Sequence, residues 1–143
     1  MAIEREDILN AVVNILSLNL VGVKSVSRVI KDINTYTSID LPAVTVIGGD
    51  EQRNYEGRRM IATFEVIVRV LDKEDGTSKN LETLNGIISQ IEKIVEDNPY
   101  LDNTSVFPVR ITRIETDEGW LFPYTLANIY IETYYSRFEQ NRW

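Results

Sequence analysis

The sequence predicts an α+β fold: a mainly antiparallel β-sheet, helices packed on one of its faces, and long β-hairpin arms. Three observations carry this. Residues 58–71 alternate without a break, with Met60, Ala62, Phe64, Val66, Val68 and Val70 on one side and Arg59, Ile61, Thr63, Glu65, Ile67 and Arg69 on the other. That is the pattern of an antiparallel strand covered on one face. Leu81, Leu84, Ile88, Ile91 and Val95 recur at helical spacing, widened by Ile87 and Ile94, which is the stripe of an amphipathic helix. Finally, the segments run α, β, β, β, α, β, β, so that strand groups are interrupted by helices instead of alternating with them.

The first helix spans Glu4 to Leu18, with Ile8, Leu9, Val12, Ile15 and Leu16 on one stripe. Glu4, Glu6 and Asp7 stand at its positive end, where the helix dipole favours them. Leu20-Val21-Gly22 ends it. Residues 23–33 alternate loosely on β-branched side chains and predict a strand. A polar stretch from Asn34 to Asp40 follows. Residues 43–47 form a short apolar strand, residues 48–57 a loop, and residues 58–71 the long strand already described. Asp72 to Gly76 make a turn, and Thr77 or Ser78 caps the second helix, which Asn98-Pro99 stops. Val106 to Thr116 and Pro123 to Ser136 are the last strands, joined at Asp117-Glu118-Gly119. In the final strand Ala127, Ile129, Ile131, Thr133 and Tyr135 share one face, and Leu126, Asn128, Tyr130, Glu132 and Tyr134 the other. The alternation of its partner slips at Arg113-Ile114, as a β-bulge would make it.

A length of 143 residues suits one domain, with residues 137–143 expected as a flexible C-terminal tail. A chain this long buries roughly two-thirds of its unfolded surface and needs no staples. It has no cysteine and no histidine, which removes disulfides, thiolate metal sites and histidine-based catalysis together. Fifteen basic and 22 acidic residues leave a net charge of −7. Such a balance argues against a sequestering nucleic-acid binder, because affinity for phosphates comes from basic footprints. Acidic residues near the N-terminus do not suit a signal peptide. No apolar run reaches about 18 residues, so no membrane span is expected, and the first expectation is a soluble protein of the cytoplasm.

Four constellations invite a chemical reading. Gly48-Gly49-Asp50-Glu51 is most of the signature of the GGDEF nucleotide cyclases, where glycines admit a nucleotide and acids serve a metal. Here Gln52 follows instead of an aromatic, and no phosphate-cradling loop lies upstream. A tight turn after a strand explains the same letters. The stretch from Asp72 to Glu82 faintly imitates a calcium loop, but Leu71 and Lys73 fall where oxygen ligands belong. Arg53, Arg58 and Arg59 flank Tyr55, a grouping that fits an interface better than a nucleic acid at this net charge. The C-terminal strand carries Tyr124, Tyr130, Tyr134 and Tyr135, with Trp120, Phe122 and Phe138 nearby. Cross-strand pairing explains them, and so does a face that receives a partner subunit. There is no Walker motif, no Gly-x-Gly-x-x-Gly and no nucleophile elbow. No cofactor is expected.

The order itself is familiar. An amphipathic N-terminal helix precedes Leu41-Pro42-Ala43-Val44-Thr45-Val46. The acidic segment Gly49-Asp50-Glu51 leads to the long strand Ala62 to Val70. One helix from Leu81 to Asp97 then leads to strands ending Ile129-Tyr130-Ile131-Glu132-Thr133-Tyr134-Tyr135. This resembles the tail terminator, or tail completion, proteins of long-tailed bacteriophages, over residues 3–136. The resemblance implies a structural virion protein of the tail or neck region, assembled in the host cytoplasm, without enzymatic activity. It implies a homo-oligomeric ring, hexameric in that family, which caps the tail tube and offers the surface that joins the head. Its partners are then the tail tube protein and a head–tail connector or neck protein, and DNA passes through without specific binding. Neck and connector subunits share the size and build, so that position stays open as an alternative. An alternative of another class is a magnesium-dependent nucleotide enzyme using Asp50 and Glu51. On the structural reading, Tyr55, Arg58, Arg59, Tyr130 and Tyr134 are the expected subunit or partner contacts, and Asp50 and Glu51 the expected lining of an acidic lumen.

Overall fold

A computed structural model describes residues 3–37, 39–73, 79–117 and 123–138, and for Asn34, Lys79, Asn80 and Leu81 the backbone alone. The elements are α1 (Arg5–Asn19), β1 (Ser25–Ser27), a 3₁₀ turn (Ile33–Thr35), β2 (Ala43–Glu56), β3 (Arg59–Lys73), α2 (Lys79–Asp97), β4 (Arg110–Thr116) and β5 (Tyr124–Phe138). The strands form one sheet in the order β1-β2-β3-β5-β4. β1 runs parallel to β2, and every other neighbouring pair is antiparallel. The fold is α+β, as the sequence predicts.

Both helices lie on one face. Ile8, Val12 and Leu16 of α1 and Ile87 and Ile91 of α2 pack against Val44, Val46, Phe64, Val66, Val68, Val70, Ala127, Ile129 and Ile131, all buried in one core. Burying each such side chain contributes about 1.5–3 kcal/mol before the entropy of ordering is set against it. The period-2 pattern of β3 and β5 therefore delivers its apolar half to the helices. A smaller apolar cluster on the opposite face, around Leu41, Ala43 and Leu71, is covered by Ile33 and Tyr36. The Leu41–Pro42 peptide leading into β2 is cis. Among the described residues no helix covers the remainder of that second face, the open face.

The helix ends follow their local chemistry. The Glu4 backbone N–H donates to the Asp7 carboxylate at 2.8 Å, closing the first turn of α1. At the far end the chain leaves the helix after Asn19, and Gly22 takes φ +87°. Asn98 caps α2 by donating its side-chain amide to the Ile94 carbonyl at 2.8 Å. The predicted caps Thr77 and Ser78, the turn at 74–76, the joint at Glu118-Gly119, Trp120, Phe122 and residues 139–143 lie outside the described residues.

Four expectations change. Residues 23–33 are not one strand: only Ser25–Ser27 pair, because β1 finds partners on β2 at Ala43–Thr45 alone. The predicted loop at 48–57 is strand. β2 continues to Glu56, opposite Arg59, and only Gly57 and Arg58 make the turn. Glycine and acid letters suggested a loop there, but the long unbroken β3 gives that stretch a partner for its backbone groups. β5 also runs on to Phe138, so its last residues belong to the sheet and not to a tail. The slip in β4 falls one residue before its expected place, at Thr112, between Ile111 and Arg113.

Candidate partner-binding arm and sheet face

The arm is the far end of the β2–β3 hairpin, with β5 alongside. Glu56 pairs with Arg59 around a two-residue turn, and Gly57 takes φ +63°. A positive φ at the first central position suits the twist of a tight hairpin and favours glycine. The tip presents Tyr55, 57 % exposed, with Arg58 exposed and Arg59 half-buried beside it. Phe138, 74 % exposed, pairs with Arg59 across the β3–β5 ladder. The sequence reading names Phe138 among the aromatics near the last strand but not among the expected contacts. The signal was there, since Tyr134, Ser136 and Phe138 continue the alternation of β5.

The base of the arm is braced from the helix side. Gly48 opposes Val66 and Glu51 opposes Phe64, so Gly49 and Asp50 together face Glu65 in a β-bulge. One extra residue turns the following side chains over. Asp50 consequently points to the open face, and Glu51 to the helices. Both glycines answer to packing. A Cβ on Gly48 would stand 3.2 Å from the Phe64 ring. A Cβ on Gly49 would stand 2.9 Å from a Glu65 carboxylate oxygen and 3.1 Å from its backbone oxygen.

Glu51 is the hub of that brace. Its side chain is 10 % exposed and takes the Arg53 guanidinium at 2.6 Å and that of Arg5 at 3.7 Å. The Tyr135 hydroxyl, from β5, also donates to it. Burial works to raise the Glu51 pKa, but the hydrogen bonds from Tyr135 and Arg53 and the charges of Arg53 and Arg5 outweigh it, and the net shift is downward. The Tyr135 hydroxyl is pushed upward, first by burial and then by its bond to Glu51. Arg137 continues the brace to Glu4 at 2.7 Å, and Arg28 pairs with Glu6. The first turn of α1 is thus tied to strands on both sides of β3.

The open face differs in chemistry. Asp50, Gln52, Thr63, Glu65, Thr112 and Glu132 surround a shallow hollow of about 260 Å³. Glu65 lies directly opposite Glu132, a like-charge pair that costs stability in a sheet. Glu132 is relieved by Arg110 at 3.4 Å and by the Tyr134 hydroxyl. Tyr134 also meets Phe107 edge-on, with ring centroids 5.6 Å apart. Phe107, Tyr100 and Val106 are each exposed on the 98–109 connection, which no sequence pattern announced.

The sequence-predicted residues thus divide. Tyr55, Arg58 and Arg59 come together at the tip. Tyr134 lies on the same sheet nearer its middle, opposite Thr63. Tyr130 is opposite Ile67, eight steps of roughly 3.3 Å, about 26 Å, from Arg59. Its ring is 9 % exposed and covered by the Arg113 guanidinium at 4.0 Å, and its hydroxyl donates to Glu115 at 3.1 Å. Asp50 and Glu51 sit on opposite faces and do not form a carboxylate pair around one ion. Glu51 is committed to internal partners.

No helix among the described residues is long and apolar enough to cross a membrane. No curated protein matches the chain. The family model described as Bacteriophage Tail Tube Terminator Protein matches residues 3–142. That match spans α1 through the end of β5, and with it the arm, the brace and the open face. The chain therefore belongs to the tail tube terminator family of bacteriophages, a family of structural proteins of the virion tail.

Proposed function

We propose that this protein closes into a ring, six-membered on the family resemblance, that seats on the end of the tail tube and presents the surface to which the head is joined. Its partners in this reading are further copies of itself, the tail tube protein and a head–tail connector or neck protein, met in the host cytoplasm. The observation that carries it is the family match over residues 3–142. Two features of the chain support it. The arm tip offers Tyr55, Arg58 and Arg59 to a neighbour, with Tyr134 further along the sheet, and exposed Tyr and Arg are the residue types that anchor interfaces. The open face gathers Asp50, Glu65 and Glu132, so a ring with that face inward has an acidic lumen. Phosphates are repelled by such a wall, and DNA passes without adhering. Glu51, turned to the helices, serves the subunit and not the lumen.

Electron microscopy of the purified protein, alone and mixed with tail tubes, tests this. Rings of uniform diameter and densities on tube ends are expected. A protein that stays monomeric and never decorates a tube end would overturn the proposal, and binding to heads but not to tubes would favour a neck position.

A further inference from the structure

The sheet ends in two open edges. On one side β1 pairs only with Ala43–Thr45, so the outer edge of β2 from Val46 to Glu56 has no strand beside it among the described residues. On the other side β4, Arg110–Thr116, has β5 on one flank and no described strand on the other. Each edge leaves alternate backbone N–H and C=O groups for water or for another strand.

We propose that these two edges are one interface: β4 of each subunit pairs antiparallel with β2 of the next copy, and the sheet runs continuously around the ring. This rests on the ring reading above and names the surface that builds it. Strand direction is the first argument. From β2 through β3 and β5 to β4 each neighbour is antiparallel, so β2 and β4 run in opposite directions. A copy related by rotation about an axis along the strands presents its β2 to β4 in antiparallel register without inverting the subunit. Head-to-tail contacts of this kind close into rings. Length is the second: Arg110–Thr116 fits within Val46–Glu56 and clear of β1. Net charge is the third: β4 carries Arg110 and Arg113 against Glu115, and the β2 edge carries Asp50, Glu51 and Glu56 against Arg53. Each edge also holds a bulge, at Gly49–Asp50 and at Thr112. Bulges blunt indiscriminate edge pairing and favour a defined register. The continued sheet keeps its helices on one side and its acidic face on the other.

The chain has no cysteine, so engineered pairs report cleanly. Gln52→Cys or Asn54→Cys on β2 is combined with Arg110→Cys or Glu115→Cys on β4, in the full chain, and the protein is oxidised with and without tail tubes. Within one chain the two edges are three strand spacings, about 14 Å, apart, beyond the roughly 7 Å that a disulfide spans. Any link between β2 and β4 is therefore between subunits. A ladder of β2–β4 linked oligomers from at least one double variant, with single variants unlinked, is expected. Links only between like edges in single variants would overturn the proposal. Unlinked rings, seen by light scattering, would overturn it while leaving the ring intact. A monomer under both conditions would remove the ring reading as well.

Discussion

Tyr135 on β5 donates its hydroxyl to Glu51 on β2, across β3. The bridge passes over Ala62, which is paired with Tyr135 on one side and with Arg53 on the other. A small side chain at that point leaves room for the phenol to cross. The bond therefore couples the bulge in β2 to the strand two places away. Tyr135→Phe leaves Glu51 short of a donor in a largely covered site. A hydrogen bond to a charged group contributes about 1.5–3 kcal/mol, and urea unfolding of the variant is expected to show a loss in that range. An unchanged midpoint would mean that the bridge carries no stability.

The same carboxylate sets an acid limb to stability. Its folded pKa lies below the ordinary value of 4.5, where hydrogen bonds and arginine charges outweigh burial. A carboxylate lowered in the folded state contributes stability above its ordinary value, and that contribution is lost as pH falls through the folded value. Glu51→Gln is expected to remove this part of the acid dependence and to flatten the fall in melting temperature below about pH 4.5. Thermal melts from pH 7 to pH 3 make the comparison, and parallel curves for the two proteins would refute it.

Gly49 and Gly57 are glycines for different reasons, and substitutions separate them. At Gly49 a Cβ meets the Glu65 backbone oxygen at 3.1 Å, an atom of the central strand that cannot step aside. Gly49→Ala is expected to cost about 1–3 kcal/mol as overpacking. At Gly57 there is open space, and only the φ of +63° objects. Gly57→Ala is expected to cost about 1–2 kcal/mol, and Gly57→Asn distinctly less, because asparagine tolerates that conformation. Denaturant midpoints of the three variants give the ranking.

The arm tip is expected to act on assembly and not on folding. Tyr55 is 57 % exposed and Arg58 is exposed. Surface substitutions of this sort usually change stability by about 0.5 kcal/mol or less. Tyr55→Ala and Arg58→Glu are expected to melt within a few degrees of the parent and yet to lose oligomers in light scattering and tube-end decoration in micrographs. Intact rings on tube ends in both variants would exclude the tip from the contact.

Much of the fold was legible because its core elements obey one period each. The alternation of β3 survives intact from residue 59 to residue 70, and helix-spaced residues such as Leu84, Ile91 and Val95 became the buried stripe of α2. The stretch at 48–57 was not legible. Its glycines imitate a turn, and nothing local reveals that Phe64 and Glu65 occupy the space where their side chains would be. The candidate site was legible in part. Tyr55, Arg58 and Arg59 are neighbours in sequence as well as in space, whereas Phe138 and Arg113 reach their places only through strand pairing, and Phe107 reaches Tyr134 from the connection before β4.

The sequence by itself determined the α+β class, the two helices, the long alternating strands and the family to which their order belongs. Those depend on side-chain periodicity, which is local. Only the tertiary structure decided which way Asp50 and Glu51 point. A one-residue bulge opposite Glu65 sends the first to the open face and the second beneath Tyr135. A bulge is fixed by register with a partner strand, and register is a relation between distant segments that no single stretch encodes.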